Sequence, residues 1–426
     1  MESSNNKLNI TVIGIGAMGG GMAQALLESS NIQSVIGYDK STQLCESFHE
    51  KACTAKKQAH FLPNSQSPTS LSDAIHKDHT DIVILVLVNE FQCEQVCFGE
   101  NDESKKGVNV LSLLKKDACV ILCSTVTATW AKKASDIFWN TSNIHFLDCP
   151  ISGGPARAQK GELSLFASGS EIVLQKTKPV LDAMGDVIKN QVHTIPGGVG
   201  MGSTVKMIHQ LLAGVHIVTA AEALALAAKA GIDVNQMYDI VRGAAGNSWM
   251  FEDRGSRMKE TTADVKSALN IFVKDLGIVH SEAKRIQSPI PIASIALQQF
   301  ICGQSLGLGS KDDSQVVKVY ENMTGVSVAN SSVSSPPKKK AKLGNGVGDV
   351  WKLPDGTEHM IVEVGDEPRH KVTIKNDYTR VLKVNFAEGE TTEAHLHAED
   401  SLYFFLVEGG MYEICSIFIK VLMHLN

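Results

Sequence analysis

Positive charge is in short supply. Over 426 residues the formal net charge is −6, which removes the field that a nucleic-acid-binding chain requires. Closely paired cysteines are missing too. The nine cysteines are scattered, Cys93/Cys97 and Cys119/Cys123 are each separated by three residues rather than two, and neither pair reads as a zinc knuckle. An odd total argues against a secreted disulfide framework and for a reduced, intracellular compartment. The opening MESSNNKLNI has neither a basic-then-apolar leader nor an Arg-rich amphipathic pattern, so no targeting segment is expected. Nor is there an unbroken apolar run of membrane length. The most apolar stretch, Met207 to Ala228, is interrupted by His209, Gln210, His216 and Glu222. A soluble, cytoplasmic protein with no membrane or nucleic-acid partner is expected.

What is present is material for cores. Hydrophobic residues make up 43% and charged residues 20%, and the length suits two or three domains of roughly 100–200 residues. Residues 1–195 alternate β-branched runs with helical or polar segments. Strands are expected at NITVIGI (9–15), SVIGYD (34–39), DIVILVLV (81–88), ACVILC (118–123) and IHFLD (144–148). Runs apolar throughout suit strands covered on both faces, so this is an α/β, Rossmann-type dinucleotide-binding domain. Residues 196–322 are rich in Ala and Leu with helical periodicity, which predicts an all-helical domain for substrate and dimerisation. A Ser-, Pro-, Gly- and Lys-rich linker covers 323–349, and β-like runs return over 350–426: KVTI (371–374), RVLKVNF (380–386) and SLYFFLV (401–407).

VIGIGAMGGGMAQALL (12–27) sets Gly14, Gly16 and Gly19 between a strand and a helix, with Ala17 and Met18 in the same turn. The first glycine permits the tight turn, the second lets a pyrophosphate approach the backbone, and the third packs helix on strand. The helix N-terminus then meets the phosphate with free N–H groups. Asp39 closes the next strand. A carboxylate there accepts from a ribose hydroxyl pair and repels a 2′-phosphate, favouring NAD over NADP, while Lys40 beside it softens the preference. In DCPISGGPARAQKGEL (148–163), Ser152, Gly153 and Gly154 form a turn whose N–H groups can converge on a carboxylate, with the serine hydroxyl as a further donor.

GIGAMG, CSTVT (123–127), DCPISGGPARAQKGEL, GMGSTVKMIHQ (200–210) and VKDLGIV (273–279) resemble, in that order, the signatures of the β-hydroxyacid dehydrogenase family. That family includes 3-hydroxyisobutyrate dehydrogenases and 6-phosphogluconate dehydrogenase, and the resemblance covers about residues 8–322. It implies an N-terminal NAD(P)-binding domain and a C-terminal helical domain. It also implies that Lys206, at the end of the G-x-G-x-x-x-K stretch begun by Gly200 and Gly202, is the catalytic acid/base. Oxidising an alcohol sends a hydride to the nicotinamide and a proton to a base, and a partly buried lysine suits that task near neutral pH. His209 and Gln210 share a helical face with Lys206 and are candidates to bind the substrate. Val88, Asn89, Ser124, Thr125 and Lys274 are expected beside the cofactor, Lys274 having a surface ion pair with Asp275 as its alternative role. Ser248 and Trp249 are candidates to close the substrate pocket.

Hydroxyisobutyrate-type enzymes usually carry asparagine four residues after the lysine, where this chain has Gln210. VKMIHQLLAG, GNSWMFEDRG (246–255) and DDSQVVKVY (312–320) are most similar to the branch of L-threonate dehydrogenases, which oxidise the 2-hydroxyl of a four-carbon polyhydroxy acid. The expectation is an NAD-dependent dehydrogenase of a small hydroxy acid, working as a homo-oligomer. The alternatives are a 3-hydroxyisobutyrate dehydrogenase, a glyoxylate/succinic semialdehyde reductase, or, from another class, an NAD- or metabolite-sensing binding protein.

The tail raises separate expectations. GETTEAHLHAEDSLYFFLVEGG (389–410) resembles the first motif of cupin barrels, which implies a divalent metal held by His395, His397 and Asp400. The second cupin motif is absent, so an incomplete, truncated cupin-like segment is expected. PPKKKAK (336–342) resembles a basic nuclear-import signal, and Lys338, Lys339, Lys340 and Lys342 make a nuclear location the second expectation after a cytoplasmic one.

Overall fold

The computed structural model describes residues 7–57, 66–99 and 107–329, and eight strand segments beyond residue 349. The chain divides into two compact units, Met1–Val333 and Ser334–Asn426.

In the first unit, β1 (Leu8–Ile13), β2 (Ile32–Tyr38), β3 (Ile82–Leu85), β4 (Cys119–Leu122) and β5 (His145–Asp148) form one parallel sheet in the order β2-β1-β3-β4-β5. The five expected strands are all present. Successive side chains on a strand point to opposite faces, so the apolar runs supply two cores at once. Ile10, Val12, Ile82, Ile84, Ile121 and Leu147 face one side, against α1 (Ala17–Glu28). Ile13, Val83, Leu85, Val120, Leu122 and Phe146 face the other. The crossovers carry α2 (Thr42–Thr54), α3 (Leu71–Ala74), α4 (Glu90–Phe98), α5 (Val110–Leu113) and α6 (Ala128–Ser142). Strand order reverses between β1 and β3, which opens a crevice at the carboxyl ends of those strands.

β3 is shorter than the apolar run 81–88 predicts. Beyond it the Leu87 N–H is taken by the Ser124 hydroxyl at 2.7 Å, so a side chain ends the ladder. A second, three-stranded sheet was not evident in the sequence. β6 (Ile151–Ser152), β7 (Ser164–Ala167) and β8 (Val192–Thr194) pair in the order β6-β7-β8, with α7 (Gly154–Gln159) and α8 (Glu171–Met184) between them.

The helical half follows directly: α9 (Met201–Lys229), α10 (Val234–Arg242), α11 (Trp249–Met258), α12 (Leu269–Arg285), α13 (Pro291–Ser305), a 3-10 turn at Asp313–Val316 and α14 (Val317–Thr324). α9 is long and apolar enough to cross a membrane by composition. Here it is the central core helix, with Ala213, Ile217, Ala221 and Leu224 buried among Phe272, Leu276, Phe300 and Val317. Arg254 and Arg257 pair with buried Asp312 and Asp313, tying α11 to the 3-10 turn.

In the second unit the described segments are β9 (Val350–Lys352), β10 (Glu358–Met360), β11 (Val362–Glu363), β12 (His370–Lys375), β13 (Arg380–Val384), β14 (His395–Leu396), β15 (Tyr403–Val407) and β16 (Gly410–Cys415). They form four separate two-stranded pairs, and β12, β13 and β15 lie on the three runs read as β-like.

Two glycines set close approaches in the first unit, Gly202 between its halves and Gly214 within the helical half. A Cβ at Gly202 would stand 2.2 Å from the Phe166 carbonyl oxygen and 2.9 Å from that of Asp148. One at Gly214 would meet Leu276 at 2.9 Å, so α9 rests directly on α12. Gly202→Ala is therefore expected to push α9 off β7 and to cost about 1–3 kcal/mol, read as a lower urea midpoint. An unchanged midpoint would contradict this close approach.

Candidate active site

The dinucleotide side of the site is built by α1 and its preceding turn. Gly14 adopts φ +88°, and a Cβ there would stand 2.4 Å from the Val86 carbonyl oxygen. At Gly19 a Cβ would be 1.9 Å from the Gly14 oxygen, so the turn and the helix lock together. Gly16 differs from both. Nothing lies within 4 Å of where its Cβ would be, no side chain caps α1, and no acidic residue occupies its first turn. The N–H groups there, including those of Ala17 and Met18, face open space at the positive end of the helix dipole. Asp39 stands just past β2 and accepts the Ser41 N–H with one carboxylate oxygen, leaving the other oxygen for a ribose. These residues fit a dinucleotide.

Past β3 and β4, Val88 is exposed and Asn89 caps α4, accepting the Gln92 N–H at 2.9 Å. Ser124 is buried, its hydroxyl spent on Leu87 N and Leu85 O. Thr125 is half-buried beside it. Lys274, from α12, spans this edge: its Nζ lies 2.9 Å from the Val88 oxygen and 3.4 Å from that of Thr125. The same ammonium pairs with Asp275 at 2.8 Å, the ion pair considered as its alternative role. Asp275 is no surface residue, however, being 2% exposed.

The substrate side belongs to α9, and a carboxylate fixes where that helix starts. Asp148 ends β5 fully buried. It accepts the Gly200 N–H at 3.0 Å, the Ser203 N–H at 2.8 Å and the Ser203 hydroxyl at 2.7 Å, with the Ser168 hydroxyl at 3.2 Å. Burial pushes its carboxyl up from the usual range, opposed by the bonds from Ser203, Ser168 and Gly200. A carboxylate at the N-terminus of α9 meets both the orphan N–H groups and the favourable end of the dipole.

From that anchor, Ser203, Lys206 and Gln210 recur at helical spacing on the buried face of α9. Lys206 is 6% exposed, and among the described residues its ammonium has no hydrogen-bond or ion-pair partner. Burial lowers it from 10.5 to about 8; Asp275 opposes this shift and Lys274 reinforces it. His209 lies one turn further along. Its Nε2 is 3.2 Å from the Ser152 hydroxyl and its Nδ1 3.0 Å from Gln210 Oε1, and the Gln210 amide nitrogen bonds the Asp275 carboxylate. Burial, followed by the Lys206 charge, holds His209 below the ordinary histidine range. Ser152 opens the turn in which Gly153 (φ +142°) and Gly154 (φ +78°) follow, with open space beside Gly154.

The structure thus gathers Lys206, His209, Gln210, Ser152 and Lys274, and adds two carboxylates that the motifs did not single out. Asp148 was readable as an acid ending a buried strand. Asp275 was readable as a charge inside the apolar stripe Leu269, Phe272, Leu276 and Val279. Ser248 and Trp249 behave otherwise. Ser248 caps α11, and Trp249 is exposed with the Arg254 guanidinium 5.8 Å from its ring centre. Among the described residues no group of three or more His, Cys, Asp or Glu could hold a metal. His395 lies on β14, whereas His397, Asp400, Lys338, Lys339, Lys340 and Lys342 lie outside the described residues.

Comparison with known proteins finds matches to both halves of the first unit. Residues 9–195 match the family described as the NAD binding domain of 6-phosphogluconate dehydrogenase. Residues 200–320 match that described as NAD-binding of NADP-dependent 3-hydroxyisobutyrate dehydrogenase. The chain is 39% identical over 315 residues to an L-threonate dehydrogenase of Pectobacterium atrosepticum, covering 74% of this chain and 95% of the relative. It is also 39% identical over 320 residues to one of Haemophilus influenzae, covering 75% and 97%. Among solved structures, a 3-hydroxyisobutyrate dehydrogenase from Salmonella typhimurium is 37% identical, with a TM-score of 0.63 over 74% of this chain and all of that one.

The buried ammonium has a consequence for stability. Burial holds Lys206 at about 8 when folded, against the ordinary lysine value of 10.5. Between those values the unfolded chain binds more protons, so this group's contribution to stability rises with pH across that window. At pH 7 the folded protein carries the full cost. Lys206→Met is expected to raise stability there by on the order of 3 kcal/mol, with the gain shrinking towards pH 10.5. Paired thermal melts at pH 7 and pH 10 test this, and a destabilised variant at pH 7 would contradict it.

Proposed function

The chain belongs to the β-hydroxyacid dehydrogenase family, and we propose that it oxidises the 2-hydroxyl of a four-carbon polyhydroxy acid of the L-threonate type. It is an NAD(P)-dependent oxidoreductase acting on a small hydroxy acid. The observation that carries the proposal is Lys206, a buried ammonium without a partner among the described residues, beside the crevice at the carboxyl ends of the parallel strands.

The α1 N-terminus and Asp39 would hold NAD(P), which would supply the hydride acceptor. The chain's own residues handle the proton and the orientation. Lys206, neutral above a pKa of about 8, takes the proton from the reacting hydroxyl. The N–H groups of the Gly153–Gly154 turn receive the substrate carboxylate, with Ser152 beside them. Lys274 holds the Val88 and Thr125 carbonyls, keeping the nicotinamide edge of the crevice fixed against α12. The Asp39 carboxylate supports NAD over NADP. Ile208, Leu212 and Leu226, exposed on α9, support a homo-oligomer. The likeness to bacterial L-threonate dehydrogenases supports a cytoplasmic location.

Nicotinamide absorbance with NAD and NADP, over L-threonate, D-erythronate, 3-hydroxyisobutyrate and glycerate, tests the reading. L-threonate with NAD is expected to be turned over best. Lys206→Ala is expected to lower kcat by about 10²–10⁴-fold. Preference for 3-hydroxyisobutyrate would replace the substrate assignment, and no turnover of any acid by folded protein would overturn the proposal. In the oxidising direction kcat/KM is expected to rise with pH through about 8 as Lys206 loses its proton, and a profile flat across that range would remove Lys206 as the base.

A further inference from the structure

Two positions that would be natural substrate contacts, His209 and Gln210, have their polar atoms engaged with protein. The bonds among them form a chain whose polarity can be worked out from one end. Asp275 is paired with the Lys274 ammonium through Oδ1 at 2.8 Å and meets the Gln210 side chain through Oδ2. A carboxylate only accepts, so the Gln210 atom on it is the amide nitrogen, and Gln210 Oε1 must face the other way. That oxygen meets His209 Nδ1 at 3.0 Å, which requires the imidazole proton on Nδ1. A neutral ring protonated on Nδ1 has a bare lone pair on Nε2, and burial favours the neutral ring. Nε2 therefore accepts from Ser152, 3.2 Å away. The Ser152 proton is committed to His209, and its remaining lone pairs face outward.

We infer that Asp275, acting through Gln210 and His209, turns the Ser152 hydroxyl into a hydrogen-bond acceptor that selects acids bearing a second hydroxyl beside the oxidised carbon. The inference rests on the proposed oxidation of a polyhydroxy acid. An outward lone pair repels a carboxylate and leaves that group to the Gly153–Gly154 N–H groups. It welcomes a substrate O–H. His209 follows Lys206 by three residues on the same helix face, so the acceptor it orients lies near the base that receives the reacting proton. An acid with a methylene at that carbon leaves the Ser152 lone pair buried and unpaired, which is the arrangement that discriminates most strongly against a missing hydroxyl. Asp275, Gln210 and His209 are positioning residues here, and of the four only Ser152 touches the substrate.

The test has a spectroscopic arm and a kinetic arm. In the full chain labelled with ¹⁵N-histidine, His209 is assigned by its loss in His209→Gln, and its ring shifts at pH 8 report the tautomer. The Nδ1–H form is expected. In Asp275→Asn, Lys274 keeps the remaining oxygen, an amide NH₂ faces Gln210, and the Gln210 amide must turn over. His209 is then expected to switch to Nε2–H, a change that loss of packing alone would not produce.

The kinetic arm compares kcat/KM for L-threonate and its 3-deoxy analogue, 2,4-dihydroxybutyrate. The wild type is expected to prefer L-threonate by roughly tenfold or more. Ser152→Ala and Asp275→Asn are expected to bring the two acids within about threefold, mainly by losing L-threonate activity. An Nε2–H tautomer in the wild type, or full discrimination retained in Ser152→Ala, would overturn the inference. Should the wild type oxidise neither acid, the proposed reaction falls, while the tautomer measurement still decides for or against the chain of bonds. Should Asp275→Asn fail to fold, the wild-type tautomer and Ser152→Ala decide it.

Discussion

The Asp148 carboxylate receives the first amides of α9 at the carboxyl end of β5, and the rest of the site inherits its position from that meeting. A helix start buried against a sheet leaves N–H groups that must be satisfied, and one anion at the positive end of the dipole does this for two of them. Gly202 makes the approach sterically possible, because any side chain there would collide with the backbone of β7. Once the first turn is fixed, helical periodicity alone determines that Lys206 and Gln210 face inward one and two turns later. The dehydrogenase chemistry is therefore a downstream result of a capping interaction between two domains.

Lys206 shows what this arrangement costs and why it persists. A charged ammonium in a buried position, with no hydrogen-bond partner among the described residues, works against folding, and the fold tolerates it because the surrounding apolar core of α9 and α12 is large. Desolvation is also what brings the amine into the range where it can exchange protons near neutrality. Asp275 moderates the effect without pairing directly with Lys206, since its near neighbours are Lys274 and Gln210. Separating the two lysines' roles in this way lets one hold the crevice and the other remain reactive.

Much of this was legible in the residue order. Apolar runs gave the five parallel strands, and the glycines at 14, 16 and 19 fixed the dinucleotide turn. The small sheet β6-β7-β8 was hidden because β6 and β8 span two and three residues, too few to show a period. Ser124 and Asn89 sit where cofactor contacts were expected, but their side chains stabilise the loops. Sequence spacing locates a residue without saying which neighbour claims its hydrogen bonds. Asp275 was hard to rank for the opposite reason: next to Lys274 it resembled half of a surface pair, and only packing against α9 makes it interior.

Lys274 and Asp275 are successive residues of α12, yet one reaches the loops after β3 and β4 while the other reaches α9. A single peptide unit is thus stitched to both halves of the first unit. This bears on how such proteins can be recombined. A chimera joining the sheet domain of one relative to the helical domain of another would cut through the Asp148 anchor and the Lys274 clasp together. Neither seam can be repaired by choosing a better linker, because the matching surfaces lie 52 and 55 residues apart in the chain at the Asp148 anchor and 149 and 186 apart at the Lys274 clasp. The two halves form one compact unit, and as inheritance they are inseparable.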